Sequence, residues 1–222
     1  MLLKERIQQV LDLLDERYGQ APCSLLYEKD YELLIATRLS AQCTDARVNL
    51  VTPTLFSTYP SLEALASAKL EDVEDIVRPC GFFHTKAQNI IDMSRMLLDK
   101  FDCKVPGTIE ELTTLPGIGR KTANLICGDI YGKPAIVADT HCIRITNRLG
   151  FCKNLTDPYK VELRLKKIIP PARSNNFCHQ LAPANPNVMS ASWLPTAIIS
   201  TKVKKHKKNV PDFSGTFFWY HF

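Results

Sequence analysis

Apolar residues recur every three or four positions through most of this chain, and sustained patterns of period two are absent. Ile7, Val10, Leu11, Leu14 and Tyr18 predict an amphipathic helix over residues 5–18, ended by Ala21-Pro22. Residues 31–42 predict a more apolar helix, deep in a core through Leu33, Leu34, Ile35 and Leu39. Residues 45–56 follow as another helix, capped by Thr44 or Asp45 and open to a kink at Pro53. Short helices are expected at 61–64 and 69–77, and a long periodic one at 86–101. Later runs cover 108–115, 120–127, 140–149 and 158–169, the last closed by Pro170-Pro171. Residues 176–181 begin one more helix. The pattern implies an all-α fold.

The stretch at 108–128 stands out. A helical run stops at Pro116-Gly117-Ile118-Gly119, and a second starts at once with Arg120-Lys121. Proline cannot donate the next helical bond. Gly117 and Gly119 permit a tight turn and leave no side chain over the first, unpaired amides of the second helix. Such amides suit an anion such as a phosphate. Lys121 sits in that helix's first turn, where the dipole disfavours a charged amine. A neutral amine is a nucleophile.

Two helices joined in this way resemble the helix-hairpin-helix of the endonuclease III family of DNA glycosylases. The word L-P-G-I-G-R-K-T-A-N is followed by V-A-D-T-H, which places Asp139 eighteen positions after Lys121, and L-S-A-Q-C-T-D stands upstream. The resemblance runs from about residue 5 to Leu181. It implies two helical lobes with a DNA cleft between them: residues 22–132 in one, residues 1–21 with 133–181 in the other. It also implies a monomeric base-excision repair enzyme acting on duplex DNA that carries an oxidised pyrimidine or an abasic site.

Each candidate residue has a structural reading beside the one the resemblance gives. Lys121 alone would be a surface lysine; in the family the matching lysine attacks C1′, expels the base and forms a Schiff base that leads to strand cleavage. Asp139 is placed to cap the helix from Thr140; a carboxylate there can also assist lysine deprotonation or stabilise a positive sugar. Gln42 would by default end a helix, and Phe82 would be core. The family's matching residues enter the gap left by the flipped base and wedge the opposite strand. Gly117, Gly119 and Arg120 complete the DNA-contacting set. His141 reads as a core histidine or as a neighbour of the site. A noncatalytic hairpin that only holds duplex DNA, or an inactive truncated product, is the alternative.

Composition changes this picture at one end. The chain has 222 residues and a formal charge of +5, but residues 182–222 hold five lysines and one acid. The first 181 residues hold 23 basic and 22 acidic side chains, so net charge is poor evidence for DNA binding and the local Arg120-Lys121 pair is better. No run of 18 apolar residues predicts a membrane span, and the charged start, Met1 to Arg6, is unlike a secretion signal. An intracellular site, cytoplasmic and nucleoid-associated, is the expectation. The eight cysteines are scattered and read as reduced thiols.

The family continues through Cys-x6-Cys-x2-Cys-x5-Cys, which holds a 4Fe–4S cluster. No cysteine follows Cys178, so no cluster ligand set, metal site or other cofactor is expected in this chain. Without that loop the second lobe would lose a cross-link. From Ala182 the helical period disappears, and both tryptophans lie beyond it. Shifting the possible codons of residues 183–197 by one base permits A-R-K-S-Q-C-D-E-C-V-M-A-P-Y-C. We hypothesise that residues 182–222 are a frameshifted or mis-spliced translation of a cluster loop; a clean transcript with no cysteine frame beneath codon 181 would sink this. The alternative is a natural, cluster-free tail that docks by its aromatics.

Overall fold

The computed structural model describes residues 2–182, and the reading of residues 183–222 lies outside them. Eleven α-helices account for the described chain, with no strand among the described residues. They are α1 (Leu3–Tyr18), α2 (Asp30–Leu39), α3 (Asp45–Thr58), α4 (Leu62–Ala66), α5 (Leu70–Val77) and α6 (Phe83–Phe101). After them come α7 (Ile109–Leu112), α8 (Arg120–Asp129), α9 (Thr140–Arg148), α10 (Pro158–Ile168) and α11 (Ser174–Gln180). Short 3-10 turns precede α6 (Arg78–Cys80) and α11 (Pro171–Arg173).

Polar caps start several helices. Thr44 accepts from the Arg47 amide, Ser61 from Ala64, Thr108 from Glu111 and Asp157 from Lys160. Thr44, rather than Asp45, is therefore the cap of α3. That helix runs on through Pro53, held by the buried face of Val48, Val51, Thr52 and Leu55.

Three boundaries differ from expectation, each for a backbone reason. Helix α2 stops at Leu39 because Gln42 turns left-handed at φ 55°. Helix α6 begins at Phe83 because Gly81 (φ 71°) and Phe82 (φ 48°) reverse the chain just before it. Helix α7 ends at Leu112, and the chain then tightens into turn bonds from Thr114 N–H to Glu111 and Leu115 N–H to Leu112. Proline at 116 disfavours the helical region for the residue before it, which loosens this last turn.

Two buried clusters organise the helices. One is drawn from Leu25 to Cys127 and fills the space among α2–α8. The other joins the apolar stripe of α1 (Ile7, Val10, Leu11, Leu14) to residues between Ile136 and Leu181. Helix α1 is fixed there by polar ties as well. Arg173 donates to the Leu11 carbonyl at 3.1 Å, and Gln180 donates to the Gly19 carbonyl at 2.8 Å.

The two lobes are stitched along α8. At its end, Asp129 accepts from Asn175 (2.9 Å) and lies 2.7 Å from the ring nitrogen Nε2 of His179, both on α11. At its start, Arg120 grips Glu162 of α10. The helix that follows the hairpin turn is thus held between the two cores.

Candidate DNA interface and lysine site

The hairpin turn is anchored from below by Leu115 and Ile118, 2% and 6% exposed. Between them Gly117 takes φ 74°. A Cβ built there would lie 2.3 Å from Arg38 Nε and 2.5 Å from Asn89 Oδ1. Glycine is therefore required twice, by backbone and by space. Gly119 differs: its backbone is extended (φ −97°, ψ 174°), and a Cβ there would meet nothing within 4 Å. Only a ligand resting on the turn would make its missing side chain matter.

Gly119 is also the N-cap of α8, with no side chain accepting from the first-turn amides. Those donors have no intrahelical partner, and the positive end of the helix dipole adds to them. Lys121 follows on an exposed position. Its ammonium has no hydrogen-bond or ion-pair partner among the described residues.

Asp139 caps α9, as expected, and accepts from the Cys142 amide at 2.7 Å. His141 lies two residues on, half-buried in the first turn of α9. Burial lowers the basicity of this imidazole, the Asp139 carboxylate opposes that, and the Arg144 and Lys121 cations add to it. The charges of Lys121 and Asp139 thus both bear on one half-buried ring. His141 is half-buried rather than enclosed in a core.

Gln42 and Phe82 stand on two separate turns, Gln42 exposed and Phe82 67% exposed. Phe82 is not a core aromatic. Both hold left-handed backbones, which cost an ordinary residue about 1–3 kcal/mol and cluster at binding sites.

Arg120, expected among the DNA contacts, also makes a structural tie. Its Nε and Nη2 donate to the two oxygens of Glu162 at 2.8 and 2.9 Å, and its guanidinium stacks 4.6 Å over the Tyr159 ring. Glu162 is 4% exposed and also accepts from Lys166 at 2.7 Å. Burial alone would raise this carboxyl; the hydrogen bonds from Arg120 and Lys166 outweigh it and hold the group below its ordinary range. The Arg120 side chain joins the lobes and remains 41% exposed.

Two further residues escaped the sequence reading. Arg38 lies directly beneath Gly117 and donates to Asn89 at 2.9 Å. A lone cation inside the apolar run L-L-I-A-T-R-L was the available signal. Lys86 is 1% exposed and donates to the carbonyls of Leu39 and Cys80, each at 2.8 Å. Nothing in its local sequence distinguishes it from a surface lysine.

No cysteine follows Cys178, so residues 179–222 offer no thiolate ligand to an iron–sulfur cluster. No chemistry is assigned to such a group here.

Comparison with known proteins agrees with this geometry. Residues 35–171 match the HhH-GPD superfamily base excision DNA repair proteins. Endonuclease III of Synechocystis is 45% identical over 175 residues, covering 78% of this chain and 80% of that protein. The structure of a trapped endonuclease III–DNA covalent intermediate matches with a TM-score of 0.77 at 42% identity, over 82% of this chain and 85% of the other. A non-covalent endonuclease III–DNA complex matches with a TM-score of 0.81 at 36% identity, over 94% and 100%. The uncapped hairpin amides, Lys121 and Asp139 are thus set in a known frame: the chain belongs to the HhH-GPD superfamily of base excision DNA repair proteins, as an endonuclease III homologue.

Proposed function

We propose that this chain is a bifunctional DNA glycosylase and abasic-site lyase, with Lys121 as nucleophile, acting on oxidised pyrimidines in duplex DNA within the cell. The neutral Lys121 amine attacks C1′ of the damaged nucleotide, and the bond from C1′ to the base breaks. Loss of a proton from nitrogen and opening of the sugar ring leave a Schiff base. Removal of a proton from C2′ then expels the 3′ phosphate and cuts the strand. Asp139 or His141 receives the proton leaving Lys121, and the carboxylate also stabilises positive charge at C1′. Gln42 and Phe82 support extrusion of the nucleotide by occupying the two sides of the gap. The uncapped amides at Gly119 hold a backbone phosphate, giving salt-dependent binding.

One observation carries this reading: an exposed lysine with no ionic partner among the described residues follows the uncapped start of α8, and its charge reaches the His141 ring beside Asp139. Borohydride trapping on an abasic duplex tests it. The full chain should form a covalent adduct, and Lys121→Ala should form none while still binding DNA. An undiminished adduct in Lys121→Ala would overturn the assignment.

A further inference from the structure

The turns that carry Gln42 and Phe82 are joined underneath. Cys43 follows Gln42, and Cys80 stands two residues before Phe82. The two thiols, 37 positions apart in sequence, act on each other strongly enough to help raise the buried one. Helix α3, which starts just after Cys43, packs on the 3-10 turn that ends at Cys80. The Lys86 ammonium spans the same gap, donating to the Leu39 carbonyl at the end of α2 and to the Cys80 carbonyl. Two thiols and one cation therefore share a small site directly below the residues proposed to enter DNA.

The two sulfurs are unequal. Cys43 is partly exposed, whereas Cys80 is 2% exposed. Burial, with the neighbouring Cys43 thiol, pushes Cys80 up to about 11, against the pull of Lys86 and Arg47. An oxidant from solvent reaches Cys43 first, and Cys80 waits beside it as the resolving thiol. None of the chemistry assigned to Lys121 and Asp139 uses either sulfur.

We propose that Cys43 and Cys80 form a reversible disulfide site, closed by a peroxide, that locks the Gln42 and Phe82 turns together and weakens engagement of damaged DNA. In the first step the Cys43 sulfur attacks one peroxide oxygen. An S–O bond forms, the O–O bond breaks, and water leaves with the thiol proton. In the second step the Cys80 sulfur attacks the Cys43 sulfur. The S–S bond forms, the S–O bond breaks, and a second water leaves. The two sulfurs are oxidised together by two electrons, and one peroxide is reduced. A dithiol reductant reverses the result. Disulfides of this transient, sensing kind are the sort found among otherwise reduced intracellular thiols. Formation of the bond does not depend on any DNA contact; the effect on DNA rests on the insertion role given to Gln42 and Phe82.

The test treats the full native chain with hydrogen peroxide, blocks remaining thiols, digests the protein and maps the peptides by mass spectrometry. The expected product links the Cys43 and Cys80 peptides, disappears with dithiothreitol and does not form in Cys80→Ser. In that variant a sulfenic-acid probe should label Cys43. Affinity for an abasic-analogue duplex should fall about tenfold on oxidation, a usual size for coupling between two sites, and recover on reduction. Separate alkylation of Cys43 and Cys80 after peroxide, or linkage only in unfolded protein, overturns the disulfide. Full linkage with unchanged affinity overturns the lock. Wild-type affinity in Gln42→Ala would instead remove the insertion role, and the mapped linkage would survive that result.

Discussion

The two glycines of the hairpin turn should respond oppositely to the same added methyl group. At Gly117 the left-handed backbone penalises an L-residue by about 1–2 kcal/mol. The new Cβ would also displace Arg38 and Asn89, whose mutual hydrogen bond is worth about 1 kcal/mol. The reduced freedom of the unfolded chain returns roughly 0.5–1 kcal/mol. The net loss for Gly117→Ala is about 2 kcal/mol, which for a chain of this size lowers Tm by roughly 4–8 °C. Gly119→Ala meets open space with an ordinary φ, so its Tm should stay within about 2 °C of the parent. Its methyl would nevertheless lie over the first amides of α8, and affinity for duplex DNA should fall. Thermal unfolding followed by helical circular dichroism, with fluorescence anisotropy on labelled duplex, separates the two effects. Equal Tm losses in both variants, or an unchanged Tm in Gly117→Ala, would refute the division of labour. Wild-type affinity in Gly119→Ala would remove the phosphate role of the turn.

Other expectations concern charge. Arg120→Ala leaves Glu162 with Lys166 alone and should cost about 2 kcal/mol, less than the 3–5 kcal/mol for stranding a buried charge completely; chemical denaturation checks it, and a neutral result would deny the tie between lobes. Because the folded Glu162 carboxyl lies below its free value of 4.5, its contribution is complete above that pH and fades as acid carries the solution through the folded value. Glu162→Gln should flatten that slice of the acid-stability curve. His141, lowered by burial from 6.5, should titrate below that value by NMR. The unfolded chain then holds the proton more tightly, so stability rises with pH across the interval between the folded value and 6.5. His141→Gln should abolish that rise.

Local signals in this chain were legible where backbone chemistry is local. Caps at Thr44, Ser61, Thr108, Asp139 and Asp157 sit where short polar residues precede helical periods. The Pro-Gly-Ile-Gly turn announced itself because two glycines and a proline interrupt the 3.6-residue repeat. Long-range pairing was not legible. That Arg120 pairs with Glu162 is decided 42 residues away, by how α10 lies against α8. The same holds for Lys86, whose two acceptors come from the ends of α2 and the 3-10 turn. Left-handed Gln42 and Phe82 were missed as boundaries because side-chain type says little about a positive φ outside glycine.

The second cluster draws on both ends of the described chain, and synthesis must therefore wait for it. Residues from Leu25 to Cys127 can gather as they leave the ribosome, because their partners are all contiguous. Ile7, Val10, Leu11 and Leu14 have no such partners until Ile136 and its successors are made, an interval of roughly 6–25 s at ordinary elongation rates. For that time the nascent polypeptide carries a bare greasy stripe, a natural landing place for chaperones. A product altered near its carboxyl end would prolong that exposure, and the leading helix would be its first casualty.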